Sequence, residues 1–135
     1  MPQLSFGIYD NGVHTDAAFG TLKISGQDEH GFRPYFLMTS AVAGCGTGVL
    51  RRELAARGIE YEDIKVVVDV TRNPAQANRI EQIDLQFLIK PKGELSGKDI
   101  QDAMQAMLDT SSMIQTVRES IKISSKFSVV TDPQV

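Results

Sequence analysis

The chain contains the stretch Ala41-Val42-Ala43-Gly44-Cys45-Gly46-Thr47-Gly48, inside a segment that predicts a long helix. Glycine costs about 1 kcal/mol relative to alanine in a helix interior, so three glycines within five residues indicate a local requirement. Because glycine has no Cβ, it lets another backbone or a small molecule approach closely. The cysteine at this point is therefore either a buried spacer or a reactive group.

Helix and strand signals surround this stretch on both sides. The helix is predicted from Pro34, which suits a first turn because its missing N–H would be unbonded there, to a stop at Gly58. Upstream, apolar alternation around the turn Asp10-Asn11-Gly12 predicts a β-hairpin, continued over 19–25, and 26–33 reads as a loop. Downstream, period-two and period-3.6 patterns predict strands at 64–71 and 83–90, helices at 100–108 and 113–117 separated by a break at 109–112, and a closing strand at 121–130.

This order of elements and the composition indicate one domain, residues 1–135, of α+β class. The chain has 135 residues, 41% of them hydrophobic and 23% charged, which suffices for a single core. A net charge of −3 without a basic cluster argues against a nucleic-acid partner. The longest uncharged run, 34–50, is short for a membrane span. With one cysteine and no signal-peptide pattern, we expect a cytoplasmic protein.

Residues 34–45 read P-Y-F-L-M-T-S-A-V-A-G-C. This segment resembles the helix motif P-x-E-L-L-x-A-x-x-x-G-C of the OsmC/Ohr family (osmotically inducible protein C and organic hydroperoxide resistance proteins), with the same spacing from proline to cysteine. Residues 109–117 resemble the family's second site, C-P-V-S-x-T-L. Since the order of predicted elements also agrees, the resemblance covers nearly the whole chain.

The resemblance implies an α+β fold and an intertwined homodimer with two sites at the subunit interface. Catalytic members reduce organic hydroperoxides: the helix thiolate attacks the peroxide, a second cysteine resolves the sulfenic acid, and an external dithiol reduces the disulfide. An N-terminal arginine and a glutamate at the helix start orient the peroxide. By this resemblance Cys45 is the attacking thiol and a small hydroperoxide is the substrate, with no cofactor or metal.

The chain departs from the family pattern at three points. Ser111 stands where the second cysteine belongs, or Ser112 if the alignment slips by one residue. Phe36 replaces the glutamate, and no arginine precedes Arg33. Any cycle would therefore need an external thiol as reductant. The predicted site comprises Cys45 and Ser111 in catalytic roles and Phe36, Gly44, Gly46, Ser112 and Met113 in substrate contacts.

The residues along the helix do not reveal how Cys45 would be activated. A free cysteine has a pKa near 8.5, and a reactive one needs a cation or helix N-terminus nearby. Arg51 points about 240° away around the helix, and Arg52 returns to the same face about 10 Å further along. Nothing in this segment activates the thiol. Two alternatives therefore stay open: Cys45 is reactive through groups elsewhere in the fold, or it is a buried, inert cysteine.

Two functional hypotheses follow. The first is a thiol peroxidase of oxidative-stress defence with a degenerate second site; the alternative is a non-catalytic homodimer that binds a small apolar ligand or senses redox state. Ser111 and Ser112 either contact the sulfur or cap helices. His14 and His30 lie in loop-like sequence without a metal-ligand pattern, and we expect both to be exposed loop residues.

Overall fold

A computed structural model describes residues 3–133 of the chain. Its helices and strands follow the order β1 (Gly7–Tyr9), β2 (Gly12–Asp16), β3 (Thr21–Ile24), α1 (Pro34–Ala56), β4 (Tyr61–Asn73), β5 (Arg79–Pro91), α2 (Gly97–Thr110), α3 (Ser112–Val117) and β6 (Lys122–Val129). This arrangement confirms the α+β class and the predicted order of elements. The chain divides into two compact units, and the boundary between Ser40 and Ala41 falls inside α1.

The N-terminal unit contains an antiparallel sheet in the order β1-β2-β3. The predicted hairpin turn is confirmed at Gly12, where only glycine fits: φ is +151° and a Cβ would lie 2.1 Å from the carbonyl oxygen of Ile24. His14 corrects the sequence prediction, because it lies in β2, half-buried, rather than in a loop. Its ring stacks on Tyr9 at 4.4 Å between centroids.

The C-terminal unit contains the second sheet, in the order β4-β5-β6. Strands β4 and β5 pair antiparallel, whereas β5 and β6 pair parallel, so the chain crosses over through α2 and α3. Alternate residues of β5 are buried: Ile83, Leu85, Phe87 and Ile89. Both β4 and β5 are longer than the sequence predicted, since their outer ends are half-buried or exposed and lack the alternation on which the prediction depended.

The core of the C-terminal unit lies between this face of the sheet and one side each of α1 and α2. From α1 it takes Val42, Val49, Leu50 and Leu54; from α2 it takes Ile100, Ala103, Met104 and Met107. The hydroxyl of Ser96 accepts a hydrogen bond from the N–H of Asp99 and so caps α2. The predicted break at 109–112 shrinks to a single residue, Ser111, because α2 continues through Thr110 and α3 begins at Ser112.

Large apolar side chains remain exposed in the N-terminal unit. Leu4 is 77% exposed, Ile8 85% and Phe19 fully. The buried hydrophobic residues of the chain all lie at or beyond Val42 within the part that the structure describes. Across residues 3–133, no helix combines the length and the apolar character needed to cross a membrane.

Candidate functional site

Cys45 lies on α1 with its sulfur at the junction of α2 and α3. The hydroxyl of Ser111 donates a hydrogen bond to Sγ across 3.3 Å. The hydroxyl of Ser112 lies 3.5 Å from the same sulfur, and either group can be the donor. Both candidates for the second-site residue, Ser111 and Ser112, therefore contact the thiol. The fold brings them to Cys45 from 66 and 67 residues away in the sequence.

The backbone of Ser111 makes the hydrogen bonds that join α2 to α3, so its hydroxyl is left free to bond to the sulfur. Its N–H donates to the carbonyl of Met107 at the end of α2, and its carbonyl accepts from the N–H of Gln115 in α3. Ser111 occupies the N-cap position of α3, yet its side chain makes no capping hydrogen bond. Ser111 therefore lies at a helix cap, as one alternative predicted, but its hydroxyl does not cap the helix. Ser111 is fully buried, and its hydroxyl bonds to Cys45 instead.

Close packing explains why one of the three glycines near the cysteine, Gly46, has no side chain. A Cβ at Gly46 would lie 3.2 Å from Cδ1 of Ile114 and 3.5 Å from Sδ of Met107. The missing side chain therefore lets α1 approach the α2–α3 junction closely enough for the serines to reach the sulfur. Gly44 and Gly48 differ, since a Cβ built at either position has no described atom within 4 Å beyond its chain neighbours and the nearby backbone of α1.

Hydrogen bonds to the sulfur make Cys45 unusually acidic. The hydroxyl of Ser111 contributes most, followed by that of Ser112 and the backbone N–H of Met113, and together they lower the pKa of Cys45 to about 7. Burial acts in the opposite direction but is the weaker effect. Donors that bind the anion better than the thiol favour the anion, so a large fraction of Cys45 is thiolate at neutral pH. The sequence named these residues as site candidates, but it did not predict their effect on the pKa, because they lie outside α1.

The remaining predicted residues have different surroundings. Ser112 is exposed, whereas Ser111 is fully buried. The side chain of Met113 is 38% exposed, and its backbone N–H contributes to the sulfur environment. Phe36 belongs to the N-terminal unit, where it is exposed and its ring stacks on Phe32 at 6.1 Å.

Comparison with known families finds a match over most of the chain. The family model described as OsmC-like protein matches residues 26–126. The chain belongs to the OsmC-like family. No curated protein matches this OsmC-like chain at a significant level.

Solved structures share the fold of this OsmC-like protein at low sequence identity. A hypothetical protein from Aquifex aeolicus VF5 has a TM-score of 0.79 and 16% identity, with 96% of this chain and 98% of that chain covered. An OsmC-like protein from Mycoplasma pneumoniae has a TM-score of 0.77 and 14% identity, with the same coverage. An organic hydroperoxide resistance protein OsmC from Legionella pneumophila has a TM-score of 0.65 and 15% identity, with 96% and 97% covered.

Proposed function

We propose that this OsmC-like protein reduces organic hydroperoxides through Cys45, with an external thiol as reductant, and so serves in oxidative-stress defence. The observation that carries the proposal is the hydrogen bond from the buried hydroxyl of Ser111 to Sγ of Cys45. This bond stabilises the thiolate, which is the nucleophilic form of cysteine. Cys45 also ends the helix motif that the chain shares with peroxide-reducing members of the family. One similar structure is described as an organic hydroperoxide resistance protein.

The first step is attack of the Cys45 thiolate on the terminal oxygen of the hydroperoxide. A sulfur–oxygen bond forms, the O–O bond breaks with both electrons, and the product alkoxide takes up a proton to leave as the alcohol. Cys45 becomes a sulfenic acid. Ser112 is suited to assist departure, because its exposed hydroxyl lies 3.5 Å from the sulfur and can donate to the developing alkoxide.

The second step must use a thiol from outside the chain, since the sequence contains a single cysteine. That thiol attacks the sulfenic sulfur, water leaves, and a mixed disulfide forms. A second thiol then attacks the mixed disulfide, releases the Cys45 thiol and carries away the oxidised pair. A dithiol reductant provides both sulfurs in one molecule, so we expect dithiols to support turnover better than monothiols.

Turnover assays test this proposal directly. Purified protein is mixed with cumene hydroperoxide and dithiothreitol, and peroxide consumption is followed. We expect turnover by the native chain and none above background by Cys45→Ser. The variant Thr110→Ala is a matched control, since it removes a neighbouring exposed hydroxyl that bonds to Ala106 rather than to the sulfur. Equal rates for the native chain and Cys45→Ser would refute the proposal.

We also propose that the protein is a homodimer. The N-terminal unit leaves Leu4, Ile8 and Phe19 exposed, and burying such side chains against a partner removes apolar surface from water, which is favourable. A second copy of the chain is the occupant that the family resemblance implies. Size-exclusion chromatography with light scattering should give twice the chain mass of 14.8 kDa; a single-chain mass would contradict this assignment.

A redox sensor is the second candidate function. It is favoured by the serines at the second site: with no internal thiol to resolve it, a sulfenic acid on Cys45 would persist until an external thiol arrives. The two functions differ in the rate of the second step. Fast oxidation of Cys45 with slow reduction by dithiothreitol would indicate a sensor, whereas fast reduction would indicate a peroxidase.

A further inference from the structure

The glycines beside Cys45 divide the surface of α1 into a closed side and an open side. At about 100° per residue, Gly46 lies about 100° from Cys45 around the helix axis. Gly44 and Gly48 lie about 100° and 60° away in the opposite direction. The Gly46 side is closed, because Cδ1 of Ile114 would lie 3.2 Å from a Cβ there. The route to the sulfur therefore lies on the side of Gly44 and Gly48.

The exposure of α1 follows the same division. Val49, on the Gly46 side, is buried, whereas Gly44 is exposed and Gly48 is half-buried. Cys45 is itself half-buried, at the border between the two sides. A Cβ built at Gly44 or Gly48 meets no described atom within 4 Å beyond its chain neighbours and the nearby backbone of α1. The space on the open side of the sulfur is therefore not filled by a side chain from another element of the described chain.

Gly48 is the glycine whose missing side chain leaves the sulfur accessible. Helical side chains lean toward the N-terminus, over the turn that precedes their own Cα. A side chain at position 48 would therefore lean toward Cys45, whereas one at position 44 would lean away from it. Cβ atoms three residues apart on a helix are about 5–6 Å apart, so a large side chain at position 48 would lie beside the sulfur.

We infer that Gly48 sets the size of the hydroperoxide that Cys45 accepts, an inference that rests on the proposed peroxidase function. The empty position admits a branched alkyl group, such as that of cumene hydroperoxide, beside the sulfur. A leucine at this position would fill that space and exclude the branched group. Hydrogen peroxide, which has no alkyl group, would still reach the sulfur. Gly48 is thus a residue that determines specificity, whereas Cys45 performs the reaction.

Alkylation of Cys45 by reagents of two sizes tests the inference without any peroxide. Iodoacetamide is small and N-benzylmaleimide carries a bulky ring, and both reactions are followed by intact mass. In Gly48→Leu, the rate with N-benzylmaleimide should fall about tenfold or more, because overlap with the leucine raises the barrier. The rate with iodoacetamide should stay within about twofold, since the thiolate fraction is unchanged. A change of fold or assembly would slow both reagents, so the ratio of the two rates reports access.

Two further variants make this test quantitative. Gly48→Ala adds one methyl group and should give an intermediate ratio; alanine and leucine both favour a helix interior over glycine, so both variants should fold. Ala55→Leu is the matched control, because Ala55 is exposed on the same face of α1 but about 15 Å along the axis from Cys45. It should leave both rates unchanged. An unchanged rate with N-benzylmaleimide in Gly48→Leu, or equal slowing of both reagents, would overturn the inference.

The same variants with peroxides separate this inference from the proposed function. Sulfenic acid on Cys45 is trapped with dimedone after reaction with cumene hydroperoxide or hydrogen peroxide. Gly48→Leu should slow the reaction with cumene hydroperoxide by about tenfold and that with hydrogen peroxide by less than about twofold. Equal slowing would overturn the inference and leave the function standing. A native chain that neither peroxide oxidises would refute the function, while the alkylation ratio would still decide whether Gly48 controls access.

Discussion

Replacing Ser111 by alanine should raise the pKa of the Cys45 thiol. Ser111 is fully buried, and its hydroxyl is the largest of the influences that bring the pKa to about 7. A hydrogen bond to a charged group contributes about 1.5–3 kcal/mol, against about 1 kcal/mol for a neutral one. The difference favours the thiolate by about 1.4 kcal/mol, or about one pKa unit. We therefore expect Ser111→Ala to shift the pKa of Cys45 to about 8, by about one unit.

The assay must follow the whole pH profile of alkylation rather than a single rate. At pH 7 the thiolate fraction should fall about fivefold, from about a half to about a tenth. The more basic thiolate is, however, about threefold more nucleophilic, so the net change in rate at pH 7 is small. The midpoint of the iodoacetamide rate profile, read by intact mass, separates the two effects.

Two further variants calibrate this result. Ser112→Ala should produce a smaller shift, because its hydroxyl is exposed and lies farther from the sulfur, at 3.5 Å. Thr110→Ala should produce none, since that hydroxyl bonds to the carbonyl of Ala106. An alkylation midpoint in Ser111→Ala that stays with the native value, while the protein remains folded, would refute the reasoning about thiol activation.

Three other outcomes are expected from the packing and charges of the C-terminal unit. Gly46→Val should lower the free energy of unfolding by about 1–3 kcal/mol in urea titrations, because its side chain would overlap Ile114; an unchanged midpoint would contradict the close approach. Phe87→Ala should cost about 3–5 kcal/mol in the same assay, as a fully buried ring on the central strand. Ser124→Ala should destabilise at pH 7, where the Ser124 hydrogen bond holds the pKa of Asp84 below its usual range. That deficit should shrink as pH falls and Asp84 becomes protonated in both states; a constant deficit down to acid pH would argue against it.

The sequence predicted the long helix and the strand pair well because their signals are local. Pro34, Gly58 and the alternating residues of β5 each act within a few positions, and the structure places α1 and β5 where those residues indicated. His14 was misplaced because a polar residue in a short, poorly buried strand resembles a loop. The break between α2 and α3 was predicted too long, since Asp109 and Thr110 are tolerated in a last helical turn.

The activation of the thiol lay beyond local reasoning. The sequence of α1 offers no cation that would activate Cys45. The activating groups come from Ser111 and Ser112, which only the tertiary fold brings to the sulfur. The family motif placed these serines at the second site, but their contact with Cys45 depends on the close approach at Gly46.

The rate at which an organic hydroperoxide oxidises Cys45 tests the central claim most directly. The sulfenic acid is trapped with dimedone and counted by mass, in the folded protein and in the same chain unfolded in urea, at pH 7. If the α2–α3 junction activates the sulfur, folded Cys45 reacts about three- to fourfold faster than unfolded Cys45 at this pH, since its larger thiolate fraction outweighs its lower nucleophilicity, and Ser111→Ala reacts about half as fast as the native chain. Oxidation of the folded protein no faster than of the unfolded chain would contradict the account.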